Sequence, residues 1–292
     1  MKQLWRDDGT LDLKAVDKSE FKTVEDEGLT LVFPKKNKWD WTREERWLRS
    51  VVVDAKGRIV STGWPKFGNY GEFQNDTRRL NEALASDAPV RFTHKEDGSL
   101  CIRDIVNGRV MMRTRGTMFG GQQDEDGTPS FGDRFCAVAE KKYPRLIDPA
   151  WFDAGISLLF EYVAPGNQVV VRYPEDDLIL IGMLVHEPRG PKGRPMRPFI
   201  VPWGEMAEFA RKEELNLVSL KELPSTPAAL LEEVKDWRTE GVVVRCPDPD
   251  TGNEDQILVK VKSAWYLANH RMKHSMNYQR ILEFVWDFSR QE

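Results

Sequence analysis

The chain has 292 residues, enough for one large domain or two modest ones, and its 40% hydrophobic and 31% charged content is that of an ordinary globular protein. Lysine and arginine number 43 against 47 acidic residues, a formal charge of −4, so any nucleic-acid site must be a local basic patch, not a global excess. Three widely spaced cysteines (Cys101, Cys136, Cys246) lack a metal-ligand pattern and fit the thiols of a reducing compartment. The N-terminus lacks the apolar core of a signal peptide, and the longest apolar run, Leu178 to Val185, is far too short to span a bilayer. A cytoplasmic protein with no membrane partner is expected.

Residues 1–45 are mixed and charged and are assigned only as an N-terminal flank. Val51-Val52-Val53 and a segment near Arg58 to Ser61 read as strands either side of a turn at Asp54-Ala55-Lys56-Gly57. The loop from Trp64 to Glu72 leads to a helix over Gln74 to Ala85, with Leu80 and Leu84 on one face. Val90 to His94 alternates as a half-buried strand does, Asp97-Gly98 is a tight-turn pair, and Leu100-Cys101-Ile102 starts what reads as the returning strand of a hairpin. A second hairpin turns at Asn107-Gly108. Gly132 to Lys142 reads as a helix stopped by Pro144. Strands are expected at Ser157 to Val163, Val169 to Tyr173 and Leu178 to His186.

Arg189 to Pro198 is a basic loop with four cations and no acid. Helices over about Trp203 to Glu214 and Pro227 to Trp237 follow. Strands return at Val242 to Arg245 and Ile257 to Lys262, and a helical stretch runs from about Trp265 to Ser289. Short-loop hairpins joined by helical excursions predict an α+β fold with antiparallel sheets. The division expected is a flank over 1–45, one catalytic domain over 46–263 and a helical extension over 264–292.

Several residues carry chemistry. Lys95 sits at a strand end beside a turn whose glycine lets a ligand approach the backbone, where a desolvated amine can act as a nucleophile. Taken alone, the hexapeptide His94 to Ser99 fits a solvated hairpin tip as well. Lys260 and Lys262, two apart in a strand, share one face that suits a polyphosphate or, taken alone, equally a solvated edge strand, while Ile257, Val259 and Val261 take the other face into the core. Glu161 lies in an apolar strand, where an unpaired carboxylate is costly; it should meet a cation, a metal or a hydroxyl. Glu240-Gly241 places another carboxylate at a strand entrance.

In this order the pieces resemble the covalent nucleotidyltransferases, and within them the ATP-dependent RNA ligases of the phage type. The nucleophile motif Lys-x-Asp-Gly is matched by Lys95-Glu96-Asp97-Gly98. The third motif is matched by Phe160-Glu161-Tyr162-Val163-Ala164-Pro165-Gly166-Asn167, the fourth by Glu240-Gly241-Val242-Val243, and the fifth by Lys260-Val261-Lys262 with Tyr266 and His270. Arg49, Lys66-Phe67-Gly68-Asn69 and Arg115-Gly116 resemble the remaining elements. Ser50 stands where the family usually has Gly, and Arg115 where Lys is commoner.

The resemblance implies an adenylyltransferase domain of ATP-grasp-like architecture with a short helical C-terminal extension and no OB-fold. It implies that Lys95 takes AMP from ATP, passes it to an RNA 5′-phosphate, and that a 3′-OH then displaces AMP. Lys95, Lys260 and Lys262 are the implied catalytic residues. Arg49, Lys66, Glu96, Gly98, Arg115, Glu161 and Glu240 are implied to bind the nucleotide, with Asp97, Glu161 and Glu240 holding Mg²⁺ (or Mn²⁺). RNA ends, single-stranded or from a broken loop, are the implied partners, along with an end-healing kinase/phosphatase; the location is the host cytoplasm if the chain is phage-encoded. The basic stretch Lys260 to Leu282 and the loop Arg189 to Pro198 are candidate RNA surfaces. A related polynucleotide ligase, a capping-type nucleotidyltransferase and a non-catalytic RNA-end-binding relative are the rival readings.

Overall fold

The computed structural model describes residues 3–35, 38–119, 129–152, 155–186 and 198–275. β1 (Phe21–Asp26) and β2 (Leu29–Pro34) form a hairpin, and β2 also pairs with β3 (Val51–Val53), which pairs with β4 (Ile59–Thr62). The three valines of β3 are fully buried because both faces are covered. Val51 and Val53 pack with Leu4, Trp5 and Leu11 of the N-terminal segment, and Val52 packs with Leu31 and Met111 on the opposite side. The sequence reading found no regular element in the first 45 residues. The structure puts two strands of a four-stranded sheet there, recruited by hydrogen bonds to residues about twenty positions onward.

The chain continues through α1 (Gln74–Leu84), β5 (Arg91–His94), β6 (Ser99–Val106), β7 (Arg109–Arg113), α2 (Phe131–Lys142), β8 (Ile156–Val163) and β9 (Asp177–Val185). It then forms β10 (Phe199–Ile200), α3 (Trp203–Lys212), β11 (Leu220–Lys221), α4 (Pro227–Lys235), β12 (Gly241–Cys246), β13 (Ile257–Lys262) and α5 (Ala264–Ser275). A five-stranded sheet runs β10-β9-β8-β6-β7 and a second four-stranded sheet β11-β5-β12-β13. The pairings between these strands are antiparallel, whether the partners are joined by a short turn, as β6 and β7 are, or lie far apart in the chain, as β5 and β12 do.

Period-two alternation sorts each strand between a helix-covered face and a cleft face. In β12 and β13, Val242, Val244, Val259 and Val261 pack under Leu80 and Leu84 of α1 and Leu230 and Val234 of α4. In β8, Leu158 and Phe160 pack under Phe135 of α2 and Met206 of α3. The opposite faces of the two sheets meet through Leu159, Leu184 and Leu258, with Trp64 wedged between them. The layers are therefore helix, sheet, cleft, sheet, helix.

Two sequence expectations fail instructively. β5 and β6 do not pair with each other: β5 joins β11 and β12, whereas β6 joins β7 and β8. Residues 95–98 thus cross from one sheet to the other and are not a hairpin tip. Residues 169–173 form no strand, because the amides of Val170 and Val171 donate to Asp97 Oδ2 at 2.7 Å instead of to a neighbouring strand. The basic loop Arg189 to Pro198 lies, but for Pro198, outside the described residues, as does the end of the expected last helix beyond 275. No helix among the described residues is long and apolar enough to cross a membrane.

Candidate active site

Where the chain crosses between sheets, Lys95 N–H donates to Gly241 O (2.9 Å) and Gly98 N–H donates to Glu161 Oε1 (2.9 Å). The crossing is therefore tied to both sheets at once. Gly98 is required by contact, since a Cβ there would lie 2.2 Å from Tyr162 O. Gly241 is required by conformation as well, with φ +128° and a Cβ position 2.1 Å from Val261 O.

Lys95 points into a cleft of about 310 Å³ between the sheets. Its Nζ lies 2.7 Å from Glu240 Oε2, and Lys262 Nζ lies 2.7 Å from Glu240 Oε1. One buried carboxylate thus bridges the two ammonium groups. Glu161, on the cleft face of β8, is pushed up to about 7 by burial, with Glu240 adding to the effect and Lys95 opposing it. Burial likewise brings Lys260 down to about 7, reinforced by Arg49, Lys66, Lys95 and Lys262. Arg49 is lowered to about 10 by burial and then by Arg115.

The outer residues are placed by their own devices. The 66–70 loop is stitched to β13 by Lys260 N–H to Gly68 O (2.9 Å) and Tyr70 N–H to Lys260 O (2.8 Å), which lays Phe67 5.0 Å from Lys260 Nζ. Lys66 pairs with Glu72 at 2.7 Å. Ser50, standing where the resembled family usually has Gly, accepts from Arg113 Nη1 (2.6 Å) and donates to Arg115 O (2.8 Å). Its hydroxyl so clamps the Arg115 turn beside Arg49. Glu96 is held low despite burial, by His94, whose Nδ1 lies 2.9 Å from Oε1, and by the Tyr173 hydroxyl, which donates at 2.8 Å.

The cleft brings together Lys95, Lys260, Lys262, Arg49, Glu96, Gly98 and Glu161, with Glu240 bridging at its edge; Lys66 and Arg115 stand in an adjoining trench that shares Arg49 and Lys260. Asp97 is the exception. It is 2% exposed and faces away, accepting from the amides of Val170 and Val171 and from the Tyr266 hydroxyl (2.8 Å). Those partners leave the carboxylate a structural duty, pinning the 164–173 loop and α5 behind the Lys95 crossing, so the expected metal-holding role is not what its geometry supports.

Sequence reasoning missed the roles of an apolar wall around Trp64, of Arg245 and of Tyr173. Trp64 and the cleft-facing Ile181, Val243 and Leu258 give one end of the cleft an apolar wall suited to a flat heterocycle. Arg245, 2% exposed, donates to Ile181 O (2.6 Å) beside the Trp64 ring. Tyr173 donates to Glu96 across 77 positions. Only Trp64, preceding the Pro65-Lys66 element, had a signal in its neighbourhood; the other two contacts exist only across the fold.

A family model described as RNA ligase matches residues 47–267. The chain belongs to this RNA ligase family. A protein of Thermovibrio ammonificans, provisionally named an RNA ligase, is 26% identical over 243 residues, which are 80% of this chain and 54% of that protein. This chain therefore spans about half the length of that curated relative. Among solved structures, a protein of Aquifex aeolicus provisionally titled an ATP-dependent DNA ligase has a TM-score of 0.54 at 16% identity, covering 96% of this chain and 71% of that one. A mutant of the Naegleria gruberi RNA ligase with AMP and Mn has a TM-score of 0.51 at 13% identity, covering 75% and 65%. At these identities the likeness is one of fold: an α+β arrangement with antiparallel sheets, shared with these ligase structures.

Proposed function

We propose that this chain is an ATP-dependent RNA ligase working through a lysyl-AMP intermediate. The observation that carries the reading is the bridge Lys95–Glu240–Lys262 at the sheet crossing, with Lys260 and Arg49 in the same cleft. We read the two facing sheets as the ATP-grasp-like cleft, with the purine against Trp64 and Leu258 and the phosphates toward Arg49 and Lys260.

Before Lys95 can attack, its ammonium must lose a proton, and Glu240 Oε2 is within hydrogen-bond reach to hold it. The Nζ–Pα bond then forms as the bond from Pα to the leaving pyrophosphate breaks. Lys260, Arg49 and Arg115 stabilise charge developing on the phosphates. An oxygen of the RNA 5′-phosphate next attacks Pα and the N–P bond breaks, giving 5′-adenylated RNA. A 3′-OH finally attacks the 5′-phosphate and AMP leaves.

Mg²⁺, with Mn²⁺ as substitute, fits the oxygen donors of the cleft, Glu161 foremost, since both oxygens of Glu240 meet lysines. Among the described residues no three His, Cys, Asp or Glu side chains converge, which suits a cation held through its own waters and the nucleotide. When bound it supplies Lewis-acid stabilisation of phosphate charge. Because the chemistry needs a 5′-phosphate and a 3′-OH, ends of other types would first require a kinase/phosphatase. The context is RNA repair, in the host cytoplasm if the chain is phage-encoded.

The test is incubation with α-labelled ATP or GTP, then with 5′-phosphorylated RNA or DNA. Label transferred from ATP to the protein and on to sealed RNA supports the reading. Labelling by GTP alone would indicate a capping enzyme, preferential sealing of DNA a DNA ligase, and no label at all a binding protein.

A further inference from the structure

The family match begins at residue 47, so the β1–β2 hairpin lies outside it. That hairpin nonetheless walls a trench of about 590 Å³ that opens off the cleft at Arg49 and Lys260. Lys22 and Phe33 are cross-strand partners and so present one face toward it; Lys35, just past β2, and Trp41 extend the lining. No Asp or Glu lines the trench among the described residues. Two of its cations are neutralised, Lys38 by Glu20 and Glu45, and Lys66 by Glu72. Lys22, Lys35, Arg49, Arg115 and Lys260 have no carboxylate at ion-pair distance among the described residues, although Lys35 Nζ also donates to Lys18 O. Between two of the lining residues, Lys38 and Trp41, stands Trp39, 82% exposed.

This arrangement has two parts, cations lining a trench and, in the short chain segment between two of its lining residues, an indole standing in water. Basic grooves with exposed aromatics bind single-stranded nucleic acid, the cations tracking phosphates and the ring stacking a base. Direction follows from displacement chemistry. When AMP leaves Lys95, the attacking oxygen must approach Pα from the side opposite Nζ. The trench meets the cleft at Arg49 and Lys260 and does not include Lys95. We infer that it holds the 5′-phosphorylated RNA strand, with backbone phosphates on Lys22 and Lys35 and a base stacked on Trp39. The inference rests on the ligase reading and adds to it a strand, a path and three residues outside the family match.

The test measures binding of a short 5′-phosphorylated RNA carrying a 3′ fluorophore to the full chain by anisotropy, over a range of salt. Trp39→Ala is expected to weaken binding about tenfold, with Trp39→Phe restoring most of it. Lys22→Ala/Lys35→Ala is expected to flatten the slope of log affinity against log salt by about 1.4, two single-strand phosphate contacts' worth. All three positions are surface positions, so the fold is not at stake. Unchanged affinity and slope in these variants, in a chain that takes label from α-labelled ATP, would overturn the inference and leave the ligase reading standing. Losses of equal size with an acceptor RNA lacking a 5′-phosphate would overturn the strand assignment. Failure of the wild-type chain to take label would instead sink the ligase reading itself.

Discussion

Lys260 yields a prediction that can be worked through in numbers. Its ammonium is depressed from the ordinary 10.5 to about 7 by burial among Arg49, Lys66, Lys95 and Lys262. At pH 8 a group with that pKa is about 90% neutral. Nucleotide phosphates brought to the same cluster return the charged form to favour, so binding should draw in close to one proton, roughly 0.9 per nucleotide at pH 8 and about 0.1 at pH 6. Titration calorimetry with ATP in two buffers of different ionisation enthalpy measures this uptake directly. EDTA keeps adenylation from following. Lys260→Met should abolish most of the uptake at pH 8, leaving only the share of Glu161. The same depression has a stability consequence whose sign is definite. Between pH about 7 and 10.5 the unfolded chain binds more protons than the folded one, so stability rises with pH across that window. At pH 7 the buried lysine costs up to about 4 kcal/mol, and Lys260→Met should be stabilised by up to that amount while losing adenylation. Equal proton uptake by wild type and Lys260→Met would refute the reasoning.

Lys95→Ala should form no lysyl-AMP with ATP yet still join RNA that already carries a 5′-adenylate, since its covalent role ends when AMP leaves it; a gel of both reactions decides, and retained labelling would move the nucleophile elsewhere. Asp97→Asn should cost about 1–3 kcal/mol in urea unfolding, because two amides and the Tyr266 hydroxyl lose a charged acceptor. Its half-saturating Mn²⁺ concentration in adenylation should stay at the wild-type value; a large rise would make Asp97 a metal ligand after all. Gly98→Ala should lower adenylation at least tenfold with little change in far-UV circular dichroism, since the added methyl drives the crossing away from Tyr162 O and Glu161.

What the sequence determined by itself was everything with a local period or a fixed spacing. The alternation of β12 and β13 put Lys260 and Lys262 on one face with Val259 and Val261 on the other, and β8 carried Glu161 out of an apolar strand in the same way. The spacing of Lys95, Asp97 and Gly98 singled out the segment that the fold places at the crossing between two sheets, with Lys95 in the cleft. Local pattern cannot report which strand an edge will pair with, because ladder hydrogen bonds join backbones whatever their side chains. For that reason β5 and β6 read as a hairpin although they end in different sheets, and residues 21–34 read as a flank although they extend one. Asp97 shows the limit most sharply. In sequence it is an acid two positions from the lysine proposed as nucleophile, fit for a metal; only the fold brings the amides of Val170 and Val171 and the hydroxyl of Tyr266 to its two oxygens. A carboxylate takes its role from the donors that reach it, and those came from 73, 74 and 169 positions away.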